Sequence, residues 1–386
     1  MELSGSGYRA AAAQEVLLGV TGMAVIAQLY LSVPLSPDVA QSFPGAETPT
    51  IFGGSFGGSY ATGFLLLSRP VGRSEPRTAI VLALSSLAIT TLFTAQATSW
   101  TELVGARALQ GLSASAFTPA LLAFIARQLP SERKSTAAGL TAAFFLSAVA
   151  VAQVGGQELE MVIGWRGVLL IFAAAYGIAA VTLAAILPSA RTPDTFDPAA
   201  DRVTWRVNLL VLGRGEFRAL LLITLTALAG LVALYSAASR SHVLSASEVQ
   251  AVRLAAIPAL AMAWPAGRLL SRVDLRNVLR IGLATCAVGE LAATVLVENG
   301  LVVAGFVIGV ELSSLGVAMV VPALMEAVRR ADPSGAIGPS AYPFCLFVGA
   351  TAGGAVVAPP GPLCLSLSSL HLLAATASAS YVTSRA

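Results

Sequence analysis

Three charged side chains lie inside apolar stretches of this chain, where an apolar environment makes a charge unfavourable. Arg107, Glu290 and Glu311 are each flanked by uncharged, mostly apolar residues. If these stretches cross a bilayer, each charge costs about 2.5–3.5 kcal/mol near the bilayer centre. A carboxylate in such a place can exchange a proton, because desolvation favours its neutral form and a nearby cation favours its ionised form. These three residues are therefore the first candidates for chemistry.

Other kinds of chemistry find little support in the sequence. The three cysteines, Cys286, Cys345 and Cys364, have no metal-ligand spacing and are typical of small apolar packing residues. His242 and His371 have no neighbouring Cys, Asp or Glu cluster in the sequence, so we expect no metal and no cofactor. No nucleophile motif and no Gly-rich phosphate loop is present, and we expect that the protein is not an enzyme.

The elements that must position these charges are strongly apolar. Of the 386 residues, 56% are hydrophobic and 11% are charged, whereas soluble domains have about 25% charged residues. About a dozen apolar runs approach the roughly 20 residues that cross a bilayer core as a helix. They fall near 16–34, 51–68, 78–97, 102–125, 136–157, 167–187, 217–238, 249–267, 278–297, 300–324, 340–358 and 362–382. The runs are continuous rather than alternating, which predicts an all-α membrane protein with 12 transmembrane helices and not a β-barrel.

The two parts of the chain repeat each other. Pro119 and Pro322, Arg127 and Arg330, and Pro130 and Pro333 are each 203 positions apart, and each set ends an apolar run. Internal repeats are typical of secondary transporters. The longest polar stretch separates six runs from six more. We therefore predict two pseudo-symmetric six-helix bundles, at 1–187 and 217–386, joined by a cytoplasmic linker at 188–216.

Arginine placement predicts the orientation. With both termini in the cytoplasm, 19 of the 23 basic residues lie on the inner side, as the positive-inside rule requires. The net charge of +3 then reflects topology, and no nucleic-acid partner is expected. Residues 1–15 lack a basic start and a cleavage site, so the first run is expected to be a retained helix. The predicted location is the cell (inner) membrane.

The start of the fourth run carries a recognisable motif. The stretch from Gly105 to Gly111 contains Arg-Ala-Leu-Gln-Gly at 107–111. It resembles the Arg-x-x-Gln-Gly signature on the fourth helix of the major facilitator superfamily, especially the drug/metabolite:proton antiporters. Gly164-Trp165-Arg166 is similar to the start of the sixth helix in that family. The resemblance implies alternating access around a site near the membrane midplane.

The gating loops depart from the family pattern. The resemblance assigns Arg69, Gly72 and Arg73 to the loop after the second helix, and Gly267 and Arg272 to its second-half equivalent. The gating aspartate of the family is replaced in the first loop by Arg69 and in the second by Ser271. We expect these five residues to form a degenerate inner gate.

The same resemblance places the first, fourth, seventh and tenth helices around the central cavity. Subtracting the repeat of 203 from Glu311 gives position 108, next to Arg107. Glu311 and Arg107 are then expected at almost equal depth, with Glu311 coupling protons and Arg107 modulating it or binding substrate. The alternative is a static ion pair or a buried protonated glutamate. Glu290, on the ninth helix, is expected to pair within its own half, or to lie near the interface if that span is shifted.

Polar residues on the other lining helices are candidates for substrate contact. They are Gln28, Tyr30, Gln110, Thr224 and Tyr235. Each of them has the alternative of a hydrogen bond between helices or an interfacial position.

The predicted function is export of a small organic molecule, a drug or a metabolite, by proton antiport in a monomer within the lipid bilayer. Two alternatives remain: uptake of a nutrient or metabolite by symport or facilitated diffusion, and a transporter-like sensor that moves no substrate.

Overall fold

The chain forms a bundle of long helices. The computed structural model describes residues 5–44, 48–189, 210–261, 273–332, 337–355, 368–371 and 373, and these contain helices and turns but no strand. This agrees with the helical membrane protein that the continuous apolar runs predict.

The N-terminal half comprises seven helices, which are α1 (Gly5–Tyr30), α2 (Ser32–Ser42), α3 (Thr48–Arg73), α4 (Pro76–Gln96), α5 (Trp100–Ser115), α6 (Phe117–Gln128) and α7 (Ser131–Ile186). The described C-terminal half comprises α8 (Gly215–Ala227), α9 (Ala229–Ser239), α10 (Ala246–Leu254), α11 (Ala256–Ala261), α12 (Leu275–Glu298), α13 (Val302–Ala331) and α14 (Gly338–Ala355). A short helical segment at 368–371 packs beside this half.

Seven stretches of described helix are long and apolar enough to cross a membrane. They are Ala12–Tyr30, Pro76–Gln96, Trp100–Gln128, Val151–Ile186, Gly215–Ser239, Leu275–Glu298 and Val302–Ala331. The predicted total of 12 therefore stays a prediction, since the runs at 249–267, 340–358 and 362–382 extend beyond the described part. The linker boundary at 188–216 also stays a prediction, because residues 190–209 lie outside that part.

Two predicted runs, 136–157 and 167–187, lie in the single long stretch of α7. The chain changes direction at Gly164, whose φ of 68° and ψ of 169° are not helical. This positive φ favours glycine, since a Cβ would be strained there. Gly164 therefore separates the two runs without a loop.

The halves pack against each other through few helices. The largest contact between them joins α3 to α14, and smaller contacts join α7 to α10 and α11, and α2 to α9. At the first contact the Tyr60 and Phe347 rings are 4.7 Å apart in an edge-on arrangement, and the Phe64 and Phe347 rings stack at 5.7 Å. Gly57, one turn before Tyr60 on α3, lies against Thr351, one turn after Phe347 on α14. The contact between α3 and α14 is thus an aromatic seam between the halves.

Candidate functional site

Arg107 is the centre of a sealed polar cluster in the N-terminal half. Its side chain has no solvent exposure. One terminal nitrogen, Nη1, donates to Gln110 Oε1 at 2.7 Å and to Gln28 Oε1 at 3.2 Å. The other, Nη2, donates to Ser32 Oγ at 2.8 Å and to the Gln28 carbonyl at 2.9 Å. The fork geometry of guanidinium explains why an arginine can join helices α1, α2 and α5 at one point.

Aromatic rings and a threonine complete this cluster. The Arg107 guanidinium carbon lies 4.6 Å from the ring centres of Phe52 and of Phe56, both on α3. Cations are attracted to ring faces at this distance. Gln110 Nε2 donates to Thr91 Oγ1 at 2.8 Å, which ties in α4. Arg107 is therefore compensated by neutral groups, so that no carboxylate is needed beside it.

Glu311 does not meet Arg107 in this structure. Glu311 lies on the exposed side of α13 together with Ala304 and Ile308. Helix geometry explains the separation, since adjacent residues differ by about 100° around a helix. The repeat equivalent of Arg107 is Val310, which is buried, and Glu311 therefore points to a different side. Its role in proton coupling stays a prediction.

The predicted substrate residues occupy different environments. Gln28 and Gln110 have no solvent exposure and bind Arg107, while Thr224 is buried and donates to the Leu220 carbonyl at 2.7 Å. Tyr235 is also buried, and its hydroxyl has no hydrogen-bond partner. Among these four residues, the Tyr235 hydroxyl and Gln28 Nε2 are thus the buried groups without a hydrogen-bond partner in this conformation.

Tyr30 lines a cavity between the halves. The cavity has a volume of about 150 Å³, and its walls come from α1, α2, α3, α9 and α14. Its lining includes the following six residues: Tyr30, Ser36, Gly53, Ser236, Arg240 and Thr351. Arg240 also donates to the Gly354 carbonyl at 3.0 Å. Because both halves contribute walls, relative movement of the halves would change the shape of this cavity.

A polar cluster joins the halves beside that cavity, at the end opposite to Arg127 and Arg330. Arg253 on α10 donates from Nη1 to Gln157 Oε1 on α7 at 2.7 Å. Gln250 Nε2 donates to Glu158 Oε1 at 3.1 Å across the same boundary. We name these four residues the outer latch, since the arginine distribution predicts that this end faces outwards.

Local sequence positions the outer latch. Ser245 and Glu248 form a capping box at the start of α10, in which Glu248 Oε2 accepts from the Ser245 amide at 2.7 Å. These bonds, first of all the one from the Ser245 hydroxyl, lower the pKa of the Glu248 carboxyl. The fixed helix start places Gln250 and Arg253 on the side that faces α7.

Breaking the outer latch should open this end. We expect Arg253→Ala to remove a cross-half hydrogen bond worth about 1.5 kcal/mol, which is roughly a tenfold shift towards the open form. The measurement is labelling of a cysteine introduced at Ala40 by an impermeant thiol reagent. His242→Ala, in the exposed loop at the same end, is the matched control. Equal labelling rates in both variants would show that the outer latch does not hold this end closed.

At the arginine-rich end, Arg127 binds backbone carbonyls at the end of α3. Arg127 Nη2 donates to the Gly72 carbonyl, and Nη1 donates to the Ser74 carbonyl at 3.1 Å. Arg69 and Arg73 lie on the last turns of α3 beside them. The repeat equivalent of Arg127, Arg330, instead binds Glu326 on its own helix at 2.8 Å. Gly267 and Arg272 lie outside the described residues, so the second-half gate stays a prediction.

Glu290 pairs within its own half, as expected, and its partner is His371. Glu290 Oε2 lies 3.1 Å from His371 Nδ1, and both side chains are 1% exposed. The sequence does not reveal this partner, because the two residues are 81 positions apart and lie on separate apolar runs. The one available signal is that a buried histidine in an apolar run, like a buried glutamate, needs a polar partner. Among the described residues, no group of three or more metal-ligating side chains is found.

Comparison with known proteins agrees with the helix arrangement. A sequence model described as Major Facilitator Superfamily matches residues 17–359, which is most of the chain. No curated protein matches the chain.

Proposed function

The chain belongs to the major facilitator superfamily, a family of membrane transporters, and we propose that it exports a small organic molecule, a drug or a metabolite, in exchange for protons. It would work as a monomer in the cell (inner) membrane, with both termini in the cytoplasm. The partners implied are the substrate, protons and the lipid bilayer.

One observation carries this proposal, namely that the halves close together at the end with the outer latch. There the cross-half bonds of Arg253 and Gln250 lie beside a cavity lined by both halves. In alternating access, one helix bundle rocks against the other around a fixed site. A structure closed at one end is one of the two states that this mechanism requires.

The chemistry of the cavity favours an organic substrate. Its walls are mostly apolar, with hydroxyls from Tyr30, Ser36 and Ser236 and one cation, Arg240. Ligand sites typically combine apolar walls with a few polar groups that fix orientation. The cavity volume of about 150 Å³ in this conformation is smaller than the 300–1,000 Å³ typical of ligand pockets. The substrate would therefore enter from the opposite end or after the halves separate.

Proton coupling is tested with purified protein in vesicles that carry an imposed pH gradient. Proton movement upon addition of candidate compounds gives the sign of coupling, which separates antiport from symport. Substrate flux that does not depend on the pH gradient would support facilitated diffusion. No flux of any compound with folded protein would support a sensor and contradict the proposal.

Glu311 is the sequence candidate for the proton carrier. We expect Glu311→Gln to remove the dependence of transport on the pH gradient while leaving expression intact, because glutamine has a similar shape but cannot exchange a proton. Glu298→Gln, at the exposed end of α12, is the matched control. The initial transport rate at several pH values is the measurement. An unchanged pH dependence in Glu311→Gln would remove Glu311 from the proposed mechanism.

A further inference from the structure

The membrane-spanning stretch Gly215–Ser239 contains a break. Helix α8 ends at Ala227 and α9 begins at Ala229, so that Leu228, with φ of −103° and ψ of −14°, interrupts the regular hydrogen bonding. The Leu228 amide donates to the Thr226 carbonyl at the break. Transporters place broken helices at their functional centres, because the freed backbone groups can change partners there.

Three other elements pack closely against this break. On α14, a Cβ added to Gly349 would lie 1.8 Å from the Leu225 carbonyl oxygen, and one added to Gly353 would lie 2.2 Å from that of Ala229. On α9, a Cβ added to Gly230 would lie 1.6 Å from Glu290 Oε1. These glycines allow backbones and the carboxyl group to approach where any side chain would collide. The break is thus in contact with α12, α14 and the segment at 368–371.

His371 joins the break to Glu290. Its Nε2 atom lies 3.0 Å from the Thr226 carbonyl oxygen, and its Nδ1 atom lies 3.1 Å from Glu290 Oε2. The imidazole therefore links the Thr226 carbonyl at the break to a buried carboxyl group. Glu290 Oε1 has no hydrogen-bond partner, so the carboxyl depends on His371 for its polar contact.

The number of protons in this chain of groups follows from hydrogen-bond chemistry. A carbonyl oxygen can only accept, so Nε2 must carry a hydrogen to bind Thr226. A second hydrogen must lie between Nδ1 and Glu290 Oε2, on either atom. With both hydrogens present the pair has no net charge, which suits its burial. This second hydrogen is the exchangeable one.

Loss of one proton to water breaks one of the two hydrogen bonds. A single ring hydrogen then remains, while both the Thr226 carbonyl and the Glu290 carboxylate require one. Hydrogen bonds to ionised acceptors are the stronger ones, so the remaining hydrogen is expected on Nδ1, facing Glu290. The lone pair on Nε2 would then face the Thr226 carbonyl oxygen and repel it.

We propose that Glu290 and His371 form a proton-binding site whose deprotonation releases the Thr226 carbonyl and changes the bend between α8 and α9. Among the described residues, the other titratable group that interacts with Glu290 is Cys286, one turn earlier on α12. The Cys286 thiol donates to the Ser313 carbonyl at 3.6 Å. From α8 and α9, the groups at the pair are the Thr226 carbonyl and Gly230, which do not titrate.

Movement of this bend would reach the cavity. Tyr235 and Ser236 lie on α9, within three turns of Leu228, and Ser236 lines the cavity between the halves. The proposal rests on the proposed function only in linking this movement to transport. The proton site and the bend are measurable without any substrate.

The first test is the protonation of His371 in purified protein in lipid nanodiscs. The chain has two histidines, and His242 is exposed, so isotope-labelled histidine NMR gives two separable signals with an internal reference. We expect His371 to carry hydrogen on Nε2 at neutral pH and to change tautomer at high pH. An Nε2 atom without hydrogen at neutral pH, or a titration identical to that of His242, would overturn the proposal.

The second test is the bend itself, measured as the distance between spin labels at the exposed positions Leu222 and Val243 in a background without the native cysteines. We expect this distance to change with pH in the parent protein and in Glu298→Gln, but not in Glu290→Gln. The glutamine amide can donate permanently to Nδ1 and so mimic the protonated form.

The outcomes are distinguishable from those of the proposed function. A pH-dependent distance that persists in Glu290→Gln, or no pH-dependent distance in the parent, would overturn the inference even if protons drive transport. A pH-dependent bend that Glu290→Gln removes would support the inference even if vesicles show no proton flux. Should Glu290→Gln fail to fold, the NMR experiment on the unmodified pair still decides.

Discussion

Oxidation of the double variant Gly57→Cys/Thr351→Cys is expected to stop transport completely. An added Cβ at Gly57 would lie 3.0 Å from the Thr351 Cβ, and disulfides require about 3.5–4.5 Å between these atoms. A shift of about half an ångström therefore allows the bond to form. Because the two residues belong to opposite halves, the disulfide would hold α3 against α14 and prevent the halves from separating.

The measurement is substrate flux in vesicles before and after oxidation, with cross-linking scored on the same sample. Transport should return when a reductant opens the bond. The single variants Gly57→Cys and Thr351→Cys control for the substitutions themselves and should be insensitive to the oxidant. Full flux in completely cross-linked protein would contradict alternating access through this seam.

Replacement of Arg107 by methionine is expected to destabilise the N-terminal half by about 3 kcal/mol and to remove most transport. The guanidinium satisfies buried oxygens of Gln28, Gln110 and Ser32. Methionine fills a similar volume but removes the donor to Ser32 Oγ and the 2.7 Å bond to Gln110 Oε1, while Gln28 Oε1 keeps the bond from Gln110 Nε2. Each group that stays unsatisfied costs about 1–3 kcal/mol. Thermal unfolding in detergent and substrate flux are the two measurements.

Two further variants sharpen the Arg107 experiment. Arg107→Lys keeps the charge but loses the planar fork, so it should fall between the parent protein and Arg107→Met in both stability and transport. Leu109→Met, two residues along the same helix and 56% exposed, should behave like the parent. Parent-like stability of Arg107→Met would show that the cluster does not support the fold.

These two experiments test different properties of the protein. The cross-link tests whether the halves move, whereas the Arg107 variants test whether the N-terminal half stays intact while it moves. The bonds of Arg107 described here are confined to α1, α2 and α5, and its ring contacts are on α3. It is therefore suited to holding that half as one body. In the other half, the pair of Glu290 and His371 contacts the break between α8 and α9 and is the proposed proton-binding site.

The sequence by itself determined that the protein is helical and belongs in a membrane, because continuous apolar runs satisfy the backbone in lipid only as helices. The motif at 107–111 indicated the family, and the later match over residues 17–359 agrees with it. The four-residue spacing of Gly349 and Gly353 is a further local feature, because it puts both on one side of a helix, where close contact is possible. Each of these features is local, so the order of residues is sufficient to specify it.

Only the tertiary structure decided which charged groups meet. The 203-residue repeat relates Glu311 to position 108, yet one position along a helix turns a side chain by about 100°. Arg107 thus faces its own half while Glu311 lies on an exposed side. Glu290 finds His371 from another run, and Arg253 finds Gln157 across the halves. Such pairs depend on the rotation and packing of whole helices, which apolar composition leaves undetermined because many rotations bury similar apolar surface.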